Sequence, residues 1–564
     1  MPTAISLPRS LQKDPDHGTL LISAIEEKVK WLPNETYMRY PAPDWEVQGY
    51  RTLTWANYGD SINKVAFWLD ETLGKTTGNE TVAYLGPNDL RYALLLPAVV
   101  KTGRKLLIPS DTVTDEGLKN LLQATDCKVW IRAQNDKVDP PSSLPPSLKK
   151  IELPSVEWCL DAFGHKHYHY EKSWDEGKWD EILVIHTSGT TGIPKPIYHT
   201  NGFYASGKAR ELGSIHFPRG IMFDVWMGRS MLSPCPPQWL GGLYHYVFFP
   251  VYQDTTCVVP PADCTLFSAN VMQKLVRMNV VDGFFGPPFT IGQLYANTEA
   301  RQLLKNFQYI IYAGSALEQK IGDDLVEHTK LVSAIGSTET GIQITFLPVD
   351  RRLWYTHDFV PENGHRMDRL EGSGAAADGS DDMFELTLER STSKDPSLFQ
   401  SAFWNTLFKD RQVNIETKEL YSPIKDIDGR TRWVFNTRKD DLIKLKWLAK
   451  FHAGDIEKQI QQHPDVSSVF VGGQGRPTPY VIIEPKDGVL EKKAAEDLLN
   501  EIYAEVVSGS NKANSQDIRI PKETILVTKP GKPFKKSFKQ TLMRKEIEKD
   551  YSVEIEEAYK QLAK

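Results

Sequence analysis

The stretch HTSGTTGIPKPIYHT, residues 186 to 200, sets Thr187, Ser188, Gly189, Thr190, Thr191 and Gly192 in one run, with Lys195 three positions on. Glycines let backbone N–H groups turn toward one point, hydroxyls add rotatable donors, and the ammonium adds positive charge. Such a loop is suited to wrapping a polyphosphate. The plainer alternative is a surface turn rich in small residues. The spacing GxxxxGK[ST] is missing, and Lys195 follows a proline instead of opening a helix, so a Walker-type phosphate loop is disfavoured. A second charged region, KPGKPFKKSFKQTLMRKEIEKDY (529–551), is lysine-dense enough to suggest nucleic acid or a membrane surface. The formal net charge of -6 and the lack of groove-reading or interleaved aromatic elements there argue against both.

These segments need a scaffold. EILVIHT (181–187) reads as a buried strand that delivers the chain straight into the glycine run. Upstream, TLTWANYGDSINKVAFWLDETL sets Ile62, Val65, Ala66, Leu69 and Leu73 at helical spacing. TVAYL (81–85), KLLIPS and CKVWI read as strands, and RYALLLPAVVKTG and TDEGLKNLLQATD as helices between them. The alternation returns around CVVPP, NVVDGFFGPP, FQYIIYAGS and KLVSAIGS, which predicts mostly parallel sheet covered on both faces. DPPSSLPPSLKK (139–150) predicts a surface connection, and EGSGAAADGSDD (371–382) a flexible acidic loop. A length of 564 residues exceeds one ordinary compact domain, so at least two are expected.

TSGTTGIPK closely resembles the phosphate loop of the adenylate-forming superfamily: acyl-CoA synthetases, luciferases and the adenylation domains of peptide synthetases. Other motifs of that family follow in order. FQYIIYAGSAL (307–317) resembles the adenine-site strand and turn, which implies Gly314, Ser315 and Ala316 beside the base. SAIGSTETG (333–341) resembles the next motif; by that resemblance Thr338 contacts the α-phosphate and Glu339 holds Mg²⁺. Taken alone, STET reads as a helix N-cap. IETKELYSP (415–423) resembles the ribose motif, with Glu419 where aspartate is usual. NTRKDDLIKLK (436–446) resembles the hinge motif, with Thr437 where glycine is usual; Arg438 would approach ribose and phosphate, and Asp440 would be the hinge. Lys532 and Lys539 compete for the catalytic lysine, and the KQTLMRK pattern favours Lys539.

The resemblance implies an α/β fold: a large N-terminal domain of mostly parallel sheets covered by helices (1–439), plus a small mobile α+β C-terminal domain (440–564). It runs from about residue 20 to the C-terminus and is strongest to the adenylation unit of fungal peptide-synthetase-like carboxylic acid reductases. SPCPPQWLGGLYHY (233–246) and FFGPPFTIGQL (284–294) resemble the acyl-pocket segments, which places Trp239, Gly241, Gly242, Phe285, Pro287 and Gly336 around the substrate. No counterpart is clear for the aspartate that holds an amino acid's ammonium. Together with the bulky Trp239, Phe285 and Pro287, this leads us to expect a small carboxylic acid, compact or aromatic, that is not an amino acid.

The implied chemistry is ATP- and Mg²⁺-dependent formation of an acyl-adenylate with release of pyrophosphate, followed by transfer to a phosphopantetheine thiol of a carrier domain or to CoA. Carrier and reductase motifs are not found in this sequence, so a free-standing ligase and an excised domain both stay open. A non-catalytic nucleotide-binding relative is a third class, disfavoured because Lys539 and Glu339 are both filled. Composition is ordinary for a globular protein, with 40% hydrophobic and 25% charged residues. Cys127, Cys159, Cys235, Cys257 and Cys264 have no CxxC spacing, which predicts buried free thiols. No stretch has the apolar length of a signal or membrane helix, and a cytoplasmic protein with no nucleic-acid or membrane partner is expected.

Overall fold

The computed structural model describes residues 18–111, 113–134, 144–188, 194–206, 217, 219–261, 269–278, 280–370, 382–409, 414–439, 442–446, 450–513, 518–536 and 542–562. The chain divides into two compact units. The first comprises 1–366, 387–415 and 423–434, and the second 367–386, 416–422 and 435–564.

The first unit holds two large sheets. One runs, in spatial order, Lys149–Leu153, Val129–Ala133, Thr81–Leu85, Lys105–Leu107, Glu181–Ser188 and Pro194–Thr200. Its first five strands pair parallel and the last antiparallel. The other runs Gly341–Gln343, Lys330–Ser337, Tyr309–Ala313, Gly283–Gly286, Ser230–Leu232, Thr256–Val258, Thr36–Pro41 and Tyr50–Thr54, parallel except at its two outer pairs. Parallel strands need covered faces, and their sequences are accordingly apolar runs: TVAYL has four fully buried residues out of five.

Helices supply the cover. Trp55–Leu73 buries Ile62, Val65, Ala66 and Leu69, the residues that share one face at helical spacing. Its start is set by Thr54, whose Oγ1 accepts the Asn57 N–H at 3.3 Å, and Thr54→Ala would cost about 1 kcal/mol. Its end is set by Gly74 at φ 81°, where a side chain would be strained. Arg91–Lys101 is buried along its whole length, as a helix wedged between layers must be.

One connection differs from expectation. In the proline-rich 139–150 segment, residues 144 to 150 are not merely surface: Leu144 and Leu148 pack against Ala83, Leu107 and Trp130, and Lys149 opens a strand. Two leucines spaced four apart outweighed the prolines. Residues 371–381, most of the acidic loop, lie outside the described residues. Cys127, Cys159, Cys235 and Cys257 are free and buried, as expected, and Cys264 lies outside the described residues.

In the second unit the strands Val466–Gly472, Tyr480–Pro485 and Ile525–Val527 form a three-stranded sheet in that order. Helices Ala453–Gln461 and Ala495–Ile502 bury Ile456, Ile460, Leu498 and Ile502 in one apolar core with it, and Arg544–Asp550 places Ile547 in another with Phe470, Tyr480 and Ile482. The fold is thus α/β with a large, parallel-rich part and a smaller α+β part. No helix among the described residues is long and apolar enough to cross a membrane.

Candidate active site

The glycine run joins two paired strands. Thr187 lies opposite Lys195 and Ser188 opposite Pro194, so the chain enters and leaves at adjacent points. Gly189, Thr190, Thr191 and Gly192 lie outside the described residues, as does the side chain of Ser188. Lys195 is exposed.

Thr338 and Glu339 occupy the turn between Lys330–Ser337 and Gly341–Gln343, which Ser337 closes by pairing with Gly341. Ser337 Oγ accepts the Thr340 N–H at 3.1 Å. A strand and not a helix follows, so STET is a hairpin turn and its hydroxyls are not a helix cap. Gly336 is required there, because a Cβ would stand 2.2 Å from the Gly341 carbonyl oxygen.

Both strands flanking the glycine run are tied to this turn. Thr187 Oγ1 donates to Glu339 Oε1 at 3.4 Å, a long bond. His199, at the far end of the second strand, donates from Nε2 to the Thr338 carbonyl at 2.7 Å. Asn405 Nδ2 donates to the Glu339 carbonyl at 2.9 Å, holding the backbone from a third direction. Sequence reasoning did not single out His199 or Asn405, because neither carries a periodic or motif signal; only the fold brings them to the turn. Burial lowers His199 to about 3, so its ring is neutral.

Among the described residues the Glu339 side chain accepts only the long Thr187 bond. It is half-buried, and no ion pair to it is formed among the described residues. A carboxylate so placed suits a hard divalent cation, which takes oxygen ligands.

The neighbouring sequence-predicted residues gather at the carboxyl ends of the parallel strands. Gly286 pairs with Tyr312 and Tyr312 with Ser333, so Pro287, Gly314 and the Thr338 turn all follow strands that end at one edge. Ligands of open α/β sheets bind at such edges. Gly314, Ser315 and Ala316 are exposed, with Gly314 at φ 96° and open space around it.

The two segments expected from the sequence to bound the acyl group also meet. A Cβ on Gly241 would touch the Phe285 ring at 3.4 Å and Cys235 Sγ at 3.7 Å, and one on Gly286 would touch Pro234 at 3.5 Å. Gly242 has no room for a side chain, since its Cβ would lie 2.0 Å from the Pro236 carbonyl oxygen. Phe285 is buried against the edge of Phe249, and Trp239 and Pro287 are half-buried.

In the second unit Glu419 is half-buried and accepts the Tyr421 hydroxyl at 2.9 Å. Burial pushes its carboxyl above the usual value, opposed by that hydrogen bond and by the Arg438 guanidinium. Arg438 is exposed at the end of the strand Thr431–Arg438. Asp440 and Lys539 lie outside the described residues. Lys532 is described: its ammonium pairs with Glu554 at 2.8 Å and lies over the Tyr551 ring at 4.3 Å.

Strands that end at one edge, a strand pair flanking the glycine run and a carboxylate tied to that pair describe the α/β site, and comparison with known proteins gives the family. The model for the AMP-binding enzyme family matches residues 26–364, and that for its C-terminal domain matches 440–563. The chain belongs to the AMP-binding enzyme family, as an enzyme of the adenylation-domain ligase type.

It is 28% identical to a carboxylic acid reductase of Neurospora crassa, over 98% of this chain and 52% of that protein. It is 27% identical to an isocyanide synthase–NRPS hybrid of Aspergillus fumigatus, over 91% of this chain and 31% of that protein. The chain therefore spans about half or less of these relatives. Its fold is that of an anthranilate CoA ligase in complex with anthranoyl-AMP, with TM-score 0.68 and 18% identity over 94% of this chain and 97% of that one. ATP-bound MatB from Rhodopseudomonas palustris matches with TM-score 0.68 and 14% identity over 95% and 100%.

Proposed function

We propose that the protein activates a small carboxylic acid as its acyl-adenylate at the expense of ATP and passes the acyl group to a pantetheine thiol, feeding a carboxylic acid reductase. The observation that supports this reading is the tie between the two strands flanking the glycine run and the Thr338–Glu339 turn, made through Thr187 and His199.

A carboxylate oxygen of the acid attacks the α-phosphorus of ATP, the bond to the bridging oxygen breaks, and pyrophosphate leaves. Two anions must approach, so preorganised positive charge and donors dominate the barrier. In this reading Thr187, Ser188, Gly189, Thr190, Thr191, Gly192 and Lys195 cradle the phosphates. Thr338 contacts the α-phosphate, and Gly314, Ser315 and Ala316 flank the base. Glu419 accepts from the ribose hydroxyls, with Arg438 nearby. Glu339 would hold Mg²⁺, which when bound neutralises triphosphate charge. Lys539 neutralises the attacking carboxylate.

The thiol sulfur then attacks the acyl carbon and AMP leaves. Residues 440–564 would act as a small domain turning at Asp440 to admit the thiol, a reading supported by the separate C-terminal family match. Trp239, Gly241, Gly242, Phe285, Pro287 and Gly336 would bound a small acyl group, compact or aromatic, and not that of an amino acid.

The test is pyrophosphate release by the purified protein with ATP, Mg²⁺ and a panel of acids. Acid-dependent release is expected for at least one compact acid. Nucleotide binding without release under any acid would leave a non-catalytic relative instead.

A further inference from the structure

Glu419 stands where the ribose motif it resembles has aspartate, and the extra methylene gives its carboxylate more reach and more rotamer freedom to lose. Two features of the second unit restrict that freedom. The first is Tyr421, two residues on in the strand Ile415–Lys425. Its side chain is fully buried, with the ring edge-on to Phe435 at 5.7 Å between centroids, so its hydroxyl is a fixed point. That hydroxyl donates to Glu419 Oε2 at 2.9 Å. Among the described residues Glu419 Oε1 accepts no hydrogen bond. The tyrosine contact also favours the ionised carboxyl, against the burial that disfavours it.

The second feature is the backbone just before Glu419. Lys418 stands at φ 63°, a left-handed conformation that lysine rarely adopts and that a regular strand does not use. Thr417 holds it there: its Oγ1 accepts the Glu419 N–H at 3.2 Å across Lys418 and donates to the Leu386 carbonyl at 2.8 Å. Glu416 and Lys418 are exposed, whereas Leu420 and Tyr421 are both buried, so the alternation of the strand changes at this point. Strained backbone of this kind persists only where its surroundings over-determine it, and it clusters at ligand clamps.

Resting on the reading of Glu419 as the acceptor of the ribose hydroxyls, we propose that Tyr421 and the left-handed backbone at Lys418 are the positioning elements of that contact. The tyrosine holds Oε2, and the turn tied by Thr417 sets the direction from which the side chain leaves the strand. The remaining acceptor positions of the carboxylate are thereby presented to the ribose. Tyr421 acts on the nucleotide only through Glu419: it governs how strongly ribose hydroxyls are preferred to their absence, and it has no part in holding base or phosphates.

The experiment measures binding of ATP, 2′-deoxy-ATP, 3′-deoxy-ATP and 2′,3′-dideoxy-ATP to the intact protein by titration calorimetry with Mg²⁺ present. The parent should bind ATP about 10- to 100-fold more tightly than the dideoxy analogue, as hydrogen bonds to a charged group give. Tyr421→Phe, which deletes one oxygen and keeps the ring, should cut that preference about tenfold by weakening ATP and leaving dideoxy-ATP where it was. Lys418→Val, whose β-branched side chain resists left-handed backbone, should cut it likewise, and Lys418→Gly, which takes that conformation freely, is the rescue and should hold it. A preference lost in Glu419→Ala but intact in Tyr421→Phe or Lys418→Val leaves the ribose reading standing and overturns the role of the residue concerned. Equal weakening of all four nucleotides in Tyr421→Phe, with a lower melting temperature, makes the tyrosine structural only and overturns its role too. Equal binding of all four by the parent, or no binding, overturns the ribose reading together with this inference. Pyrophosphate release does not enter the readout, so a failure of adenylation is seen separately.

Discussion

His199 reaches 139 residues along the sequence to donate its Nε2 proton to the carbonyl of Thr338 at 2.7 Å, while its Nδ1 accepts the Tyr204 hydroxyl at 2.7 Å. Its ring stacks on Phe203 with centroids 3.8 Å apart and planes 13° from parallel. A carbonyl can only accept, so the neutral ring carries its proton on Nε2, and the tyrosine fixes that tautomer from the other side. The strand leaving the glycine run and the turn carrying Glu339 therefore hold one geometry.

If that geometry serves the triphosphate, His199→Phe should raise the Mg²⁺ concentration needed for half-maximal activity by about tenfold, as one lost hydrogen bond at a charged site would. His199→Gln, which keeps a donor, should recover part of the loss. A purely structural role would lower the melting temperature in both variants and leave the Mg²⁺ dependence where it was.

Three buried histidines, His199, His245 and His357, and the half-buried His186 make stability depend on pH. Burial lowers His199 and His357 to about 3, and His186 and His245 to about 4. The unfolded chain binds protons at about 6.5, so between that value and the lowered ones the unfolded state holds more protons than the folded one. The stabilisation is complete above about 6.5 and is lost as pH falls, by up to about 1.4 kcal/mol per pH unit for each ring. Urea midpoints should fall steadily from pH 6.5 downward. A flat profile to pH 4.5 would contradict neutral burial of these rings.

Glu419 should govern ATP binding through its charge. Burial raises its carboxyl above the ordinary glutamate value, so the ionised form that the proposed ribose contact needs would be lost earlier on acidification than for an exposed glutamate. Glu419→Gln should raise the KM for ATP by about 10- to 100-fold with a smaller change in kcat. It should also flatten the rise in KM at acidic pH. An unaltered KM would remove Glu419 from the nucleotide site.

Strands and helices were legible wherever one period ran unbroken, as in TVAYL or in Ile62, Val65, Ala66 and Leu69, because burial follows that period. The Thr338–Glu339 turn was legible as a motif but not as a shape: a hydroxyl followed by a carboxylate suits a helix cap equally well, and only Ser337 pairing with Gly341 decides for the hairpin. His199 and Asn405 were not legible as neighbours of the Thr338–Glu339 turn. Each acts through one long-range contact, and a single polar residue in a strand or loop leaves no periodic trace. Leu144 and Leu148 were hidden for the opposite reason, since the prolines around them mark a turn whether or not the turn is buried.

The choice between the two lysines gives the last prediction. Lys532 has a structural occupation: it shares Glu554 with Lys529, at 2.8 and 3.0 Å, and the paired carboxyl is held down at about 2. Its ammonium also caps the Tyr551 ring, so it is fastened to its own unit. Lys532→Ala should loosen the C-terminal helix Ser552–Leu562 slightly and leave adenylation within a few-fold of the parent. An ammonium that neutralises a carboxylate attacking phosphorus acts mainly in the transition state, so its removal depresses kcat far more than ATP binding. Lys539→Ala should therefore cut acyl-adenylate formation by about two to three orders of magnitude, with ATP affinity nearly unchanged. Thiol transfer from a chemically supplied acyl-adenylate does not need that charge and should survive in the same variant, which separates a lost catalytic group from a misfolded domain. If Lys532→Ala produces the severe loss and Lys539→Ala stays active, the Glu554 pair is a resting contact and Lys532 takes the catalytic role.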